Sequence, residues 1–97
     1  MNRPVLTPET VVVRSPDVVF TELDGEAVLL LPEGGQYFGL NEVGAAIWRL
    51  IESPADLGSV QRAIADLYDV ESEESWQDVV ALIEAMIGHG LVKITSV

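Results

Sequence analysis

Residues 18–31 read VVFTEL, then Asp24-Gly25, then EAVLLL, and this pattern constrains the fold more than any other stretch of the chain. An Asp-Gly pair between two apolar runs is a strong hairpin signal, because both residues tolerate the positive φ that a type I′ turn demands. The spacing predicts a strand over Val18 to Leu23, a two-residue turn, and an antiparallel partner over Glu26 to Leu31. Pro32-Glu33-Gly34-Gly35 supplies a second turn, and Gln36 to Leu40 (QYFGL) a short third strand, so the three form an antiparallel meander. The unbroken Leu29-Leu30-Leu31 predicts that the middle strand is buried on both faces. Upstream, Val11-Val12-Val13 is β-branched and reads either as an edge strand or as an extended lead-in, interrupted by Pro16-Asp17.

The remainder is helical. Asn41 is a good N-cap for a first helix, with Val43, Ile47, Leu50 and Ile51 at helical spacing and Pro54 as its end. Gly44, Ala45 and Ala46 beside that stripe leave room for another backbone to come close. Asp56 caps a second helix carrying Leu57, Val60, Ile64 and Leu67 on one face. After an acidic connector over Asp69 to Ser75, Ser72 or Ser75 caps a third helix, and Ser75-Trp76-Gln77-Asp78 approximates a capping box. That helix runs to Gly88, with Gly88 and Gly90 as stop signals and Leu91 to Ile94 as an extended tail against the core. The fold class is α+β: an N-terminal three-stranded antiparallel sheet followed by three helices, arranged like a winged helix-turn-helix. Residues 1–15 form an N-terminal extension or edge strand, and 16–97 a single domain, since a chain of 97 residues has no room for a second core.

Composition removes whole classes of function. Five Lys+Arg stand against sixteen Asp+Glu, a net charge of −11, which repels a nucleic-acid backbone and an anionic membrane surface alike. No cysteine is present, which excludes disulfides, thiolate nucleophiles and cysteine-ligated metals. The longest apolar run, Ala27 to Pro32, falls far short of the ~20 residues of a membrane span. With no secretory or transit signal at the N-terminus, the expectation is a soluble cytoplasmic protein.

Nothing in the chain assembles into a catalytic constellation. The one histidine, His89, sits between two glycines at a helix C-terminus, where an imidazolium complements the helix dipole. No second His or Cys completes a zinc or nucleophile site. Asp66, Asp69, Glu71, Glu73 and Glu74 cluster before the third helix but lack the alternating ligands and turn glycine of a calcium loop. Pro32 to Gly35 lacks the Lys and Ser/Thr of a phosphate loop. The expectation is a non-enzyme with no cofactor and no metal.

The chain offers a surface instead. At 100° per residue, Trp76, Val79, Val80, Leu82, Ile83, Met86 and Ile87 cover an apolar arc of roughly 160°, wider than the ~100° that one-sided packing needs. Val79, Leu82, Ile83 and Met86 suffice for a core, leaving Trp76, Val80 and Ile87 toward one margin, bordered by Glu73 and Glu84. That margin, beside the unpaired backbone of an edge third strand, is the setting in which a peptide is captured by β-augmentation. The competing readings are a winged-helix DNA regulator, against which Ser72 to Gly90 contains no Lys or Arg, and a structural or regulatory protein-interaction module with a non-leader partner.

Gln36 to Ile51, QYFGLNEVGAAIWRLI, resembles the signature of the PqqD-like family, the RiPP recognition elements: an aromatic-containing strand, Leu-Asn, a small residue, Ile-Trp and a leucine-rich helix. The match continues through Tyr68-Asp69-Val70 and the closing Gly90-Leu91-Val92, covering about residues 17–92. The resemblance implies a non-catalytic chaperone that binds the leader of a ribosomally made precursor peptide, adding it as an antiparallel strand to the third strand and against the third helix. Carried over by position, the contact strand is Gln36, Tyr37, Phe38, Gly39 and Leu40, and the facing helix positions are Trp76, Val79, Val80, Ile83, Glu84 and Ile87. Asn41, Gly44, Ile47 and Trp48 belong to the same signature, with capping and packing as their physical role. A free-standing chain with this hairpin most resembles lasso-peptide leader-binding proteins. Their partners would be a cysteine-protease-like leader peptidase and an ATP-dependent cyclase, with the chain itself a monomer or weak dimer. The alternative within the family presents a precursor to a radical-SAM enzyme in the pyrroloquinoline quinone pathway.

Overall fold

The Asp24-Gly25 turn has φ of 53° and 81°, the left-handed pair that closes a two-residue hairpin. In the computed structural model, which describes residues 5–95, it joins β2 (Val19–Leu23) to β3 (Glu26–Leu31), and the Pro32–Gly35 turn leads into β4 (Gln36–Leu40). These three form the expected meander, in the order β2-β3-β4. Its inner face buries Ala27, Leu29 and Leu40 against helix α1 (Glu42–Leu50). Asn41 caps α1 by accepting from the Gly44 amide at 2.9 Å. A Cβ on Gly44 would stand 3.2 Å from Leu40 Cβ, so glycine lets the helix start lie close to β4.

The middle strand is not buried on both faces. Val28 is 45% exposed, and Val19, Leu23 and Tyr37 share its outer face by cross-strand register. Helix α1 covers the inner face alone, and no element among the described residues packs on the outer one.

A second small sheet was not anticipated. The Val11–Arg14 strand, β1, is neither an edge strand nor a lead-in: it runs between β5 (Ala55–Asp56) and β6 (Val92–Ile94), in the order β5-β1-β6. Val12 at its centre is fully buried. The tail therefore does more than lie against the core, since Val12, Val13 and Arg14 pair antiparallel with Ile94, Lys93 and Val92. Helix α1 stops at Leu50, well before Pro54, and the Ile51 carbonyl beyond it accepts from the Arg14 amide of β1 at 3.1 Å.

Helices α2 (Leu57–Tyr68) and α3 (Ser72–Gly88) complete the core with Leu57, Val60, Ile64, Val79, Ile83 and Met86. Leu67 departs from the expected stripe and is 65% exposed; in that last turn Tyr68 turns inward instead and donates its hydroxyl to the Glu42 carbonyl at 3.3 Å. Neither serine caps α3. The helix starts at Ser72 behind Glu71, without a side-chain cap, and Ser75 is buried in the first turn, donating to the Ser72 carbonyl and accepting from Gln61 of α2 at 2.9 Å. Glu73 and Glu74 in that turn favour the positive end of the helix dipole. At the other end, Gly90 (φ 77°) donates to the Ile87 carbonyl and Leu91 to that of Met86, the paired bonds of a Schellman stop.

Asp56 caps α2 as expected, its two carboxylate oxygens accepting from the amide and hydroxyl of Ser59 at 2.9 and 2.8 Å. The Ser59 hydroxyl, then its amide, hold the Asp56 carboxyl below its ordinary value of 3.8. A depressed folded-state pKa means a contribution present above the unfolded value and lost as pH falls through the folded one. The melting temperature of Asp56→Ala is therefore expected to lie below the parent's at pH 7, with the gap narrowing below about pH 3.8 in a calorimetric pH series.

Trp48 is the largest fully buried side chain, edge-on to Phe20 at 5.8 Å, and its indole nitrogen has no acceptor among the described residues. An unsatisfied buried donor costs about 1–3 kcal/mol. Trp48→Phe removes that donor while losing packed volume, so its net cost is expected below about 1.5 kcal/mol, against about 3–5 for Trp48→Ala. Urea midpoints of the two variants check this ordering.

Candidate functional site

The free edge of β4 follows from hairpin geometry. A two-residue loop makes Leu23 and Glu26 a hydrogen-bonded pair, and such pairs alternate along an antiparallel ladder. Glu26, Val28 and Leu30 thus bond to β2, and Ala27, Leu29 and Leu31 bond to their partners Leu40, Phe38 and Gln36. Tyr37 and Gly39 are left with N–H and C=O groups directed away from the sheet, and among the described residues no strand pairs there. A Cβ on Gly39 would meet nothing within 4 Å.

The residues expected to contact a peptide separate into two groups. Gln36, Tyr37 and Gly39 are exposed and Phe38 half-buried, while on α3 Trp76, Val80, Glu84 and Ile87 are half-buried. Leu40, Val79 and Ile83 belong to the core, the last two at 0% exposure, and offer no side-chain surface to a ligand. Helix phase explains the split: Val79, Ile83 and Met86 point at the core, placing Trp76, Val80 and Ile87 about 50–95° round the helix from it. On the opposite flank Ser75 meets Gln61 of α2.

The sequence marks His89 only as a helix-end residue. Its ring lies 4.8 Å from that of Phe38, so the end of α3 meets β4 there. No periodic signal reveals this, because His89 lies beyond the last helical turn. The whole of α3 lacks Lys and Arg, and Glu84 beside Val80 leaves the strip acidic. Among the described residues no group of His, Asp or Glu is gathered to hold a metal ion. No helix among them is long and apolar enough to cross a membrane.

An antiparallel sheet with an open β4 edge, meeting at Phe38 the end of a helix whose flank is half-exposed, defines a polypeptide-binding module. The family pattern of the coenzyme PQQ synthesis protein D (PqqD) matches residues 26–92, and the chain belongs to that family. It is similar to the structure of TbiB1 in complex with the TbiA(beta) leader peptide, with a TM-score of 0.78 and 30% identity, covering 88% of this chain and 99% of that one. It shares its fold with lasso peptide synthetase B1 complexed with the leader peptide, at a TM-score of 0.75 and 23% identity over 84% of this chain and 96% of that one. It shares it also with the stand-alone RiPP recognition element of Methylobacterium extorquens, the PqqD truncation of PqqCD, at a TM-score of 0.78 and 16% identity over 96% and 99%. No curated protein matches the chain.

Proposed function

We propose that this chain is a non-catalytic leader-peptide-binding protein of RiPP biosynthesis, of the lasso-peptide kind, which takes up the precursor leader as an antiparallel strand on β4 against α3. The observation that carries this reading is the outward pair of Tyr37 and Gly39 on β4, a strand that meets the end of α3 through Phe38 and His89, with Trp76, Val80 and Ile87 half-buried along that helix. The leader peptide bound to TbiB1, a 30% identical structure, supports it. The peptide-binding unit is residues 16–97 together with β1, whose Val12 is fully buried and whose Arg14 stands over Phe20 of β2.

Energetics require both halves of the site. Two residues each presenting an N–H and a C=O give four backbone bonds, worth in total about 4 kcal/mol at roughly 1 kcal/mol each. That alone supports only about millimolar binding, and micromolar binding needs about 4 kcal/mol more. Two apolar anchors at about 1.5–3 kcal/mol each, seated along Trp76, Val80 and Ile87, supply it and offset part of the entropy of ordering the leader. The residues beyond the held segment remain accessible to partner enzymes, a cysteine-protease-like leader peptidase and an ATP-dependent cyclase.

The test is a fluorescence-anisotropy titration against the leader half of the nearest encoded short precursor peptide. Saturable binding, lost when the leader's apolar anchors become alanine, is the expected result. No saturation by a leader that its own peptidase accepts overturns the reading.

A further inference from the structure

The meander has a second open edge, at β2. The same alternation that frees Tyr37 and Gly39 leaves Phe20 and Glu22 with outward N–H and C=O groups. Beside the first half of β2 lies an open cleft of about 460 Å³, lined by Val13, Arg14, Val18, Phe20, Glu52 and Lys93 together with the Ser15-Pro16 backbone turn. Two of the chain's five basic residues meet there.

Each is poised differently. The Arg14 guanidinium stands 4.5 Å over the Phe20 ring and 5.2 Å from that of Trp48, and donates to the Trp48 carbonyl at 3.2 Å, so its position is fixed by packing. Its ion pair with Glu52, at 3.2 Å, rests on a carboxylate that is 72% exposed, the kind of pair that is weak and readily exchanged. Lys93 has no carboxylate within ion-pair reach among the described residues, in a chain with sixteen acidic ones. Arg49 and Arg62, by contrast, are engaged with Glu22 and Ser59.

We infer that the β2 edge and this cleft bind an extended acidic segment of a partner polypeptide, by strand addition at Phe20 and Glu22 with a carboxylate held between Arg14 and Lys93. The apolar side chains alternating with the acids project to the other face of the added strand, beside the exposed Val19 and Leu23 on the outer face of β2. A second copy of this chain is disfavoured as occupant, because each copy carries −11 and residues 15–48 hold six acids and no base. The two edges of one sheet then discriminate by charge. The helix whose end meets β4 at Phe38 carries Glu84 and no Lys or Arg, and the β2 edge lies beside Arg14 and Lys93.

The inference stands independently of leader binding at β4, and one set of proteins separates the two. The probe is a fluorescein-labelled eight-residue peptide of alternating aspartate and valine, with alternating serine and valine as its counterpart. The parent protein is expected to bind the aspartate probe at least tenfold more tightly than the serine one, with an affinity that falls as salt rises. Lys93→Glu is expected to weaken the aspartate probe at least tenfold, and Glu52→Gln, which removes the resident carboxylate, to tighten it. Leader affinity at β4 serves as the control for folding and stays within twofold in both variants. If Lys93 merely blunts the edge of β6, as a solvated strand lysine does, Lys93→Glu leaves probe binding unchanged. That result, or equal binding of the two probes, overturns the inference.

Discussion

Gly39→Pro is expected to weaken leader binding on the order of 100-fold while the protein stays folded. The N–H it removes points away from β3, so no bond within the sheet is lost, and proline is tolerated on an edge strand in that orientation. No atom lies within 4 Å of a Cβ at this position, and its φ lies outside the left-handed region, so the ring has space. An incoming strand meets the ring where a donor should be, losing one backbone bond and its approach to ladder distance over the neighbouring residues. Phe38→Pro is the contrasting variant. Its N–H faces Leu29 of β3, and its loss inside the sheet should cost about 3 kcal/mol of stability. Circular dichroism melts and leader titrations on the two variants should show opposite patterns: binding lost with stability kept for Gly39→Pro, and stability lost for Phe38→Pro.

Ile83→Lys and Val80→Lys are expected to differ as sharply, although the two positions lie on the same helix and one turn apart. Ile83 is fully buried, and an unpaired charge there costs more than about 4 kcal/mol, a large share of the 5–15 kcal/mol that holds a domain together. Its cooperative melt should collapse or fall by tens of degrees. Val80 is half-buried on the flank, so a lysine there reaches solvent and should shift the midpoint by only a few degrees. Leader affinity should nonetheless fall about tenfold, because an apolar anchor of roughly 1.5 kcal/mol loses its seat. Val80→Lys binding the leader as well as the parent does would remove α3 from the site.

The local half of this architecture was legible in the sequence because its signals are local. The Asp24-Gly25 turn, the Asn41 and Asp56 caps and the Gly90 stop are each decided within a few residues, and each is found where expected. The second sheet was not legible. It pairs Val12 with Ile94 near the other end of the chain and with Ala55 in its middle, and strands of two and three residues carry no readable periodicity. The serines before α3 misled because Ser75 meets Gln61 of α2, a tertiary bond that outweighs its capping preference. Leu29-Leu30-Leu31 misled because a run of apolar residues reports hydrophobicity but not whether the chain has an element to place over each face. On α3 the 100° spacing read the phase of the helix, with Val79, Ile83 and Met86 buried and Trp76, Val80 and Ile87 half-buried beside them, although Leu82 is only half-buried. The carry-over by position, which set Val79 and Ile83 among the contacts, did not separate core from flank.

The central claim is that a leader peptide becomes a strand on β4. Residue-resolved amide hydrogen exchange, with and without saturating leader, addresses it most directly, because only outward amides gain a partner when a strand is added. The account predicts strong new protection at Tyr37 and Gly39, little change at Phe38 and Leu40, whose amides already face β3, and none at Phe20 and Glu22 on the far edge. A leader that binds saturably yet leaves the Tyr37 and Gly39 amides exchanging as in the free protein would contradict it.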